Sequence, residues 1–426
     1  MIHLEPGWLA SQRWFRSKQR PITRIDQIDR AALTERAALA VIRVSYGDGA
    51  SDERYLAPLV DDREPADDEG AWRALAHLMA SGTALAGERG RFEAAPPVDA
   101  AAVLTGMALE DCAERRLRVE QSNTSVVLGE RLILKLYRLL EPGENPDVEV
   151  NAFLTAAGFA DTPAVAGSLT YVDSAGTRSA AAMLQAFVRS QGDAWTAMLG
   201  ALAADPPSAT RIAAEVGELT HRLHVALASN PDDPAFPVRA ATVDEVRHWQ
   251  ASAEHQLRLA LRAVTGDARE QLARLAPQVR ASFAEGFELA AGTTPVSRIH
   301  GDYHLGQLLA RTGGGYSVID FEGEPARPLP ERRTPASPLR DVAGMLRSLD
   351  YAVRTAAPDS TDELDATGWL AGAQAAFLTA YGGDFDRGLL AAFELEKACY
   401  EVRYEANNRP DWLWLPLAAV ARLTTR

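Results

Sequence analysis

The chain has 426 residues, 47% of them hydrophobic, and carries 44 basic against 58 acidic side chains for a formal charge of −14. A chain of this size buries a large core without a disulfide or metal staple, and its only cysteines, Cys112 and Cys399, make no disulfide framework and fit a reducing compartment, most simply the cytoplasm. The acidic balance disfavours nucleic acid, whose phosphates demand clustered Lys and Arg, no apolar run approaches the ~18 residues of a membrane span, and the opening MIHLEPGWLASQRWF lacks the basic-then-apolar pattern of a leader.

In chain order, residues 1–95 read as a separate small unit. Residues 40–46 and 54–60 are expected as strands joined by the turn-rich Gly47-Asp-Gly-Ala-Ser-Asp52, and residues 69–80 as a helix. Residues 96–190 form a second, β-rich unit. There Ser125-Val-Val-Leu-Gly-Glu-Arg-Leu-Ile-Leu-Lys-Leu-Tyr137 reads as two β runs about a Gly129-Glu130 turn, followed by a helix from Asp147 and strands at 170–172 and 181–188. From residue 191 to 426 the apolar spacing turns helical, over 210–228, 243–261, 268–290, 338–355, 366–381 and 389–408. A β-like interruption, 316–321, follows the Gly313-Gly-Gly315 turn.

The densest chemistry lies at that interruption. In Arg298-Ile-His-Gly-Asp-Tyr-His-Leu-Gly-Gln-Leu308, Asp302 and Gln307 are five residues apart, and Asp320 follows in Asp320-Phe-Glu-Gly-Glu324. Phosphoryl transfer needs a carboxylate to orient and deprotonate the attacking hydroxyl, and oxygen ligands to hold Mg²⁺ on the nucleotide phosphates. A base and an amide ligand five apart, then a carboxylate on the next hairpin, is the spacing of a kinase catalytic loop. Asp302 is the expected base, and Gln307, Asp320 and Glu322 the expected metal ligands, with a glutamine carbonyl where an asparagine is usual. A matching nucleotide half lies upstream. Lys135 sits on the second strand of the hairpin, its side chain alternating away from Leu134 and Leu136, and Glu149 opens the following helix. In kinases such a lysine binds the phosphates and such a glutamate orients it.

No Gly-x-Gly-x-x-Gly loop precedes that hairpin. Ser122 and Thr124, in Gln121-Ser-Asn-Thr-Ser125, either cover the phosphates with hydroxyls and backbone N–H groups or belong to an ordinary polar turn. Met183-Leu-Gln-Ala-Phe-Val188 reads as the strand entering the hinge, where backbone groups of Ala186 and Val188 meet adenine. Asp193 is placed either to bond ribose or to cap a helix.

With these motifs in hand, the chain resembles the maltokinases and the related bacterial glucosamine kinases of the aminoglycoside-phosphotransferase-like group. The resemblance rests on His300-Gly-Asp-Tyr-His-Leu-Gly-Gln307, Asp320-Phe-Glu-Gly-Glu-Pro325, Arg327-Pro-Leu-Pro-Glu-Arg-Arg333 and Ser337-Pro-Leu-Arg-Asp-Val-Ala-Gly-Met345. Trp8-Leu-Ala-Ser-Gln-Arg-Trp-Phe15 looks like the start of that family's cap domain, and Gly217, Leu223 and His224 look like the family as well. The resemblance implies an α+β, bilobal, protein-kinase-like fold with an extra N-terminal cap domain. It further implies ATP, Mg²⁺ and a sugar or amino-sugar acceptor; separately, the protein is expected to act as a monomer.

The acceptor is read from Tyr400-Glu-Val-Arg-Tyr-Glu-Ala-Asn-Asn-Arg-Pro-Asp-Trp-Leu-Trp-Leu-Pro416. Sugars bind through carboxylate and amide hydrogen bonds and flat aromatic faces. Glu401 and Glu405 share a helix face and, with Trp412, Asp302 and His304, are the expected substrate contacts. The alternative is a terminal amphipathic helix with solvent ion pairs. The carboxylates and the tail point to glucosamine, phosphorylated at its primary hydroxyl. Maltose at the anomeric hydroxyl, an aminoglycoside, or a pseudokinase scaffold without turnover are the competing expectations.

Overall fold

The computed structural model describes residues 5–96, 103–117, 123–324, 327–356 and 363–424. The chain forms two compact units, one of residues 1–189 with 327–331, the other of 190–326 with 332–426.

The first unit contains two antiparallel sheets. β1 (Ile22–Ala32), β2 (Ala37–Tyr46) and β3 (Glu53–Val60) make the first, in sequential order. Its core is Leu9, Trp14, Phe15, Ala40, Ile42, Val44 and Tyr55, so the Trp-Phe pair of the N-terminal motif is packing material. β1 was not anticipated. Its pairing with β2 slips twice, between Ile22 and Arg24 and between Gln27 and Asp29. Each irregularity breaks the period-2 alternation by which a strand is recognised.

The second sheet has seven strands: β4 (Ala84–Ala86), β5 (Arg91–Ala95), β6 (Glu114–Arg116), β7 (Asn123–Leu128), β8 (Leu132–Tyr137), β9 (Val165–Val172) and β10 (Arg178–Ala186), ordered β4-β5-β9-β10-β8-β7-β6. The boundary expected near residue 95 is therefore no gap in packing, because β4 and β5 belong to this sheet. β3 is also bonded to the segment after β8, through Leu56 N to Arg138 O at 2.7 Å and Leu140 N to Arg54 O at 2.8 Å. Arg138 itself is 1% exposed. It donates to Thr124 at 2.8 Å and to Glu64, and lies 4.6 Å over the Trp14 ring. A buried guanidinium tolerates that position only because its donors are answered. The β7–β8 turn puts both Gly129 (φ 57) and Glu130 (φ 52) in the left-handed region, the geometry of a two-residue hairpin whose twist suits the flanking strands.

The second unit is helical, as the apolar spacing predicts, with helices over Ala194–Ala204, Pro206–Leu227, Val243–Ala263, Gly266–Glu288, Leu339–Ala356, Glu363–Tyr381, Arg387–Asn408 and Trp414–Leu423. Small strands interrupt it: β11 (Ser190–Asp193), β12 (Arg239–Ala240), β13 (Pro295–Val296), β14 (Leu308–Arg311) and β15 (Tyr316–Val318). β14 and β15 form the expected hairpin, and β11 adds to its edge. The helix Leu339–Ala356 comes so close to the loop before that hairpin that a Cβ at Gly344 would stand 2.7 Å from the Tyr303 carbonyl oxygen. Only glycine permits that approach, and it brings the N-terminal turn of this helix under the loop.

Candidate active site

In the first unit the strand β8 carries Lys135 toward the helix Pro146–Ala156. Lys135 Nζ lies 2.8 Å from Asp147 Oδ2, and the Tyr137 hydroxyl donates to the same oxygen at 2.8 Å. The side chains of Lys135 and Asp147 are 13% and 2% exposed, so this is a nearly dry ion pair. The helix starts here for local reasons: the Asn145 side chain accepts from Asp147 N, and Pro146 supplies the fixed φ favoured at a first helical position. Asn151 then donates to Asp147 Oδ1 at 2.9 Å. Asp147 was not foreseen from the sequence. Glu149 stands two residues on, half-buried in the same first turn.

The other expected nucleotide contacts fare differently. Thr124 is 2% exposed and accepts from Arg138, which corrects its assignment to a phosphate-covering turn: its hydroxyl serves an internal bond. Ser122 lies outside the described residues. Ala186 ends β10, and Val188 precedes the 189/190 division between the units. Asp193 accepts from Thr196 N at 2.8 Å and caps the helix Ala194–Ala204, the second of the two roles open to it.

In the second unit the loop 299–307 is held from below by one buried carboxylate. Asp341, 1% exposed, accepts from His300 N at 2.7 Å and Gly301 N at 2.9 Å, while His224 Nε2 lies 3.2 Å from its Oδ2. Burial opposes ionisation there, yet the hydrogen bond and charge of His224 and the backbone donors win, and the Asp341 carboxyl sits below its ordinary range. His224 is braced by the Tyr381 hydroxyl at 3.1 Å. The His300 ring spans the hairpin, 3.0 Å from Ile319 O and 4.8 Å from the Phe321 ring. These contacts fix the loop backbone, and Asp302 rides on it half-exposed.

Asp302 Oδ1 lies 3.5 Å from the ammonium of Lys397, on the helix Arg387–Asn408. Lys397 also stands 4.9 Å from the Tyr400 ring. Burial works to discharge it, but Asp302, then Glu324 and Glu401, outweigh burial and keep it protonated above its ordinary range. Lys397 carries no local motif, and only the fold brings it to the loop.

Asp320 adopts φ 67, a left-handed conformation that aspartate tolerates better than most residues. Gln307 Nε2 donates to Asp320 Oδ2 at 3.3 Å, and the Ile319 N–H bonds Gln307 O at 3.0 Å, so the amide and the carboxylate are brought together as the spacing predicts. With Glu322, this set offers only carboxylate and amide oxygens, a donor set that fits a hard divalent cation such as magnesium and not a soft one. His304 turns back to accept from Gly306 N at 3.1 Å, and burial lowers its pKa below the usual imidazole value.

The expected acceptor carboxylates divide. Glu405 is 1% exposed, with its oxygens taken by Arg409 at 2.6 and 2.9 Å and by Tyr351 at 3.1 Å, which corrects its reading as an open substrate contact. Glu401 accepts from Arg347 at 2.7 and 2.9 Å through a single oxygen, Oε2. Burial raises the Glu401 pKa, with Arg347 opposing. Arg347 is fully buried and also bonds Asp350; burial alone would lower its pKa, but Glu401 and Asp350 drive it up. Trp412 is half-buried, with the Arg409 guanidinium 5.2 Å from its ring.

The chain is similar to known proteins. Residues 8–91 match the maltokinase N-terminal cap domain, and residues 114–393 match the phosphotransferase enzyme family. A glucosamine kinase of Streptacidiphilus jiangxiensis is 32% identical over 411 residues, covering 90% of this chain and 88% of the relative. One from Mycolicibacterium smegmatis is 29% identical over 73% of this chain and 79% of its own length. Among solved structures, a glucosamine kinase crystal form superposes with a TM-score of 0.79 at 26% identity, covering 100% of this chain and 98% of that one. A glucosamine kinase in complex with glucosamine, ADP and inorganic phosphate gives 0.75 at 27% identity, over 99% and 100%. The chain belongs to the phosphotransferase enzyme family, in the group that carries a maltokinase-type N-terminal cap domain.

Proposed function

We propose that the protein transfers the γ-phosphoryl group of ATP to the primary hydroxyl of glucosamine, giving glucosamine 6-phosphate and ADP. The observation that carries this reading is Asp302, a half-exposed carboxylate on a loop pinned by a buried Asp341, five residues before the Gln307 amide. The likeness to a glucosamine kinase over 90% of the chain supports the acceptor. So does the acidic setting of Asp302, Glu324 and Glu401 about the Lys397 ammonium, which suits a cationic sugar.

In this mechanism the acceptor hydroxyl bonds to Asp302 and attacks the γ-phosphorus in line. As the new O–P bond forms, the proton passes to Asp302, and the bridging oxygen departs with ADP. Lys135, kept in place by Asp147, neutralises phosphate charge. Gln307, Asp320 and Glu322 would hold magnesium, which when bound neutralises charge on the phosphate oxygens. Glu401 and Trp412 serve the sugar. The protein is taken to act in the cytoplasm as a monomer, without nucleic acid or membrane. Its two buried thiols, Cys112 and Cys399, are unbridged, and no helix among the described residues is long and apolar enough to cross a membrane.

Maltose stays a second reading because the cap matches that of maltokinases. Coupled ADP release with glucosamine, glucose, maltose and an aminoglycoside tests the assignment. Turnover is expected with glucosamine, and turnover confined to maltose would overturn the acceptor.

A further inference from the structure

Lys397 is the feature of the second unit that the reaction as described leaves unused. The Asp302 carboxylate makes one side-chain hydrogen bond or ion pair among the described residues, the 3.5 Å approach of Lys397 Nζ to Oδ1. Its backbone N–H turns instead to His300 Nδ1 at 3.4 Å. Asp341, by contrast, is met by two backbone N–H groups and a histidine. The loop backbone is thus fixed while the carboxylate at its tip is held by a single cation. A carboxylate free to rotate presents either oxygen at varying angles. One tethered at Oδ1 presents Oδ2 to the acceptor, and a base must be aimed before it can take a proton.

The lysine is built to do this. Its helix is anchored in the core by Leu395, Ala398 and Cys399, all fully buried. Its stem passes Tyr400, whose ring lies 4.9 Å from the ammonium. The 3.5 Å separation is longer than a tight charge-assisted bond of about 2.7–2.9 Å. Such a contact steers the carboxylate without competing strongly for the proton it must receive.

We propose that Lys397 is the positioning residue for the catalytic base: it orients Asp302 through Oδ1 and leaves Oδ2 to receive the acceptor proton. The proposal rests on the reading of Asp302 as base. That reading is tested separately, by loss of turnover in Asp302→Ala.

The test compares Lys397→Met and Lys397→Arg in the full-length protein with glucosamine and ATP. Lys397→Met should lower kcat by about 30- to 100-fold, the scale of a misaimed base, with KM for either substrate changed less than about threefold. Lys397→Arg, which keeps the charge and the reach, should recover most of the lost kcat. In Asp302→Asn, with residual transfer read from radiolabelled ATP, adding Lys397→Met should cost nothing further, because the residue acts through Asp302. An equal loss in both backgrounds would mean that Lys397 acts on the phosphoryl group directly. A loss confined to KM for glucosamine would make it a sugar contact. Either result, or an unchanged kcat in Lys397→Met, overturns the proposal. Thermal melting of each variant separates a folding defect from a kinetic one.

Discussion

The lysine in the first unit and the aspartate in the second are held in opposite ways. Lys135 is tied at 2.8 Å to a carboxylate that is 2% exposed and that also accepts from Tyr137 and Asn151. Asp302 is half-exposed and touches one lysine at 3.5 Å. The contrast follows from the work assigned to each. A residue that only neutralises phosphate charge gains from rigidity and can share in the core's stability. A residue that must accept a proton needs an open oxygen, and its support is moved to the backbone beneath it, through Asp341.

This difference is open to direct attack. Asp302→Ala should lower kcat by about 10³-fold or more, the upper range for general base catalysis, yet lower the melting temperature less than Lys135→Met does, because its one ion pair, with Lys397, is long and part-exposed. Lys135→Met should do both kinds of damage. Affinity for ATP should fall, and Asp147, a buried carboxylate that has lost its lysine, should destabilise the protein by about 3 kcal/mol. Denaturant unfolding of the two variants side by side checks this, and equal stability losses would erase the distinction.

Asp341→Asn sharpens the argument. The amide keeps one acceptor for the two loop N–H groups, so a loss of about 1–3 kcal/mol is expected from the weakened buried bonds. Turnover should fall with it, because Asp302 rides on that backbone. Asp302→Ala and Asp341→Asn would then differ in stability and agree in the direction of kcat. The pH dependence carries the same sign at Asp341. Its carboxyl is held below its ordinary range, so the stability it supplies is present above that range and is lost as pH falls through the lowered value.

The smallest expected effect lies far from the chemistry. Glu245 closes a capping box with Thr242 at the start of the helix Val243–Ala263. The Arg239 side chain, ahead of the Thr242 donors, lowers its pKa from 4.5 to about 2. Glu245→Gln should lower the melting temperature slightly at neutral pH, and the gap to wild type should close as pH falls from 4.5 toward 2. Melting curves over that range check it.

How much of this was legible in the sequence depends on how far apart the partners lie along the chain. Asp302, Gln307 and Asp320 are linked by one loop and one hairpin, so their spacing alone predicts that Gln307 meets Asp320. The β7–β8 turn and the long helices were likewise readable, since each is encoded by neighbours. The supports were not. Asp147 lies 12 residues from Lys135, Asp341 lies 41 from His300, and Lys397 lies 95 from Asp302. No local pattern marks such pairs. Glu405 shows a second limit: helical spacing places it on one face with Glu401, but only the packing of Tyr351 and Arg409 reveals that its oxygens are taken. β1 was lost to its two register shifts, and sequence gives no sign that β5 pairs with β9.

The most direct test of the account is ADP release by the purified protein with glucosamine as acceptor, run beside Asp302→Ala. Glucosamine-dependent ADP formation that yields the 6-phosphate in the wild type and falls at least about 10³-fold in the variant is the predicted result. Near-normal phosphorylation by Asp302→Ala would contradict the central assignment.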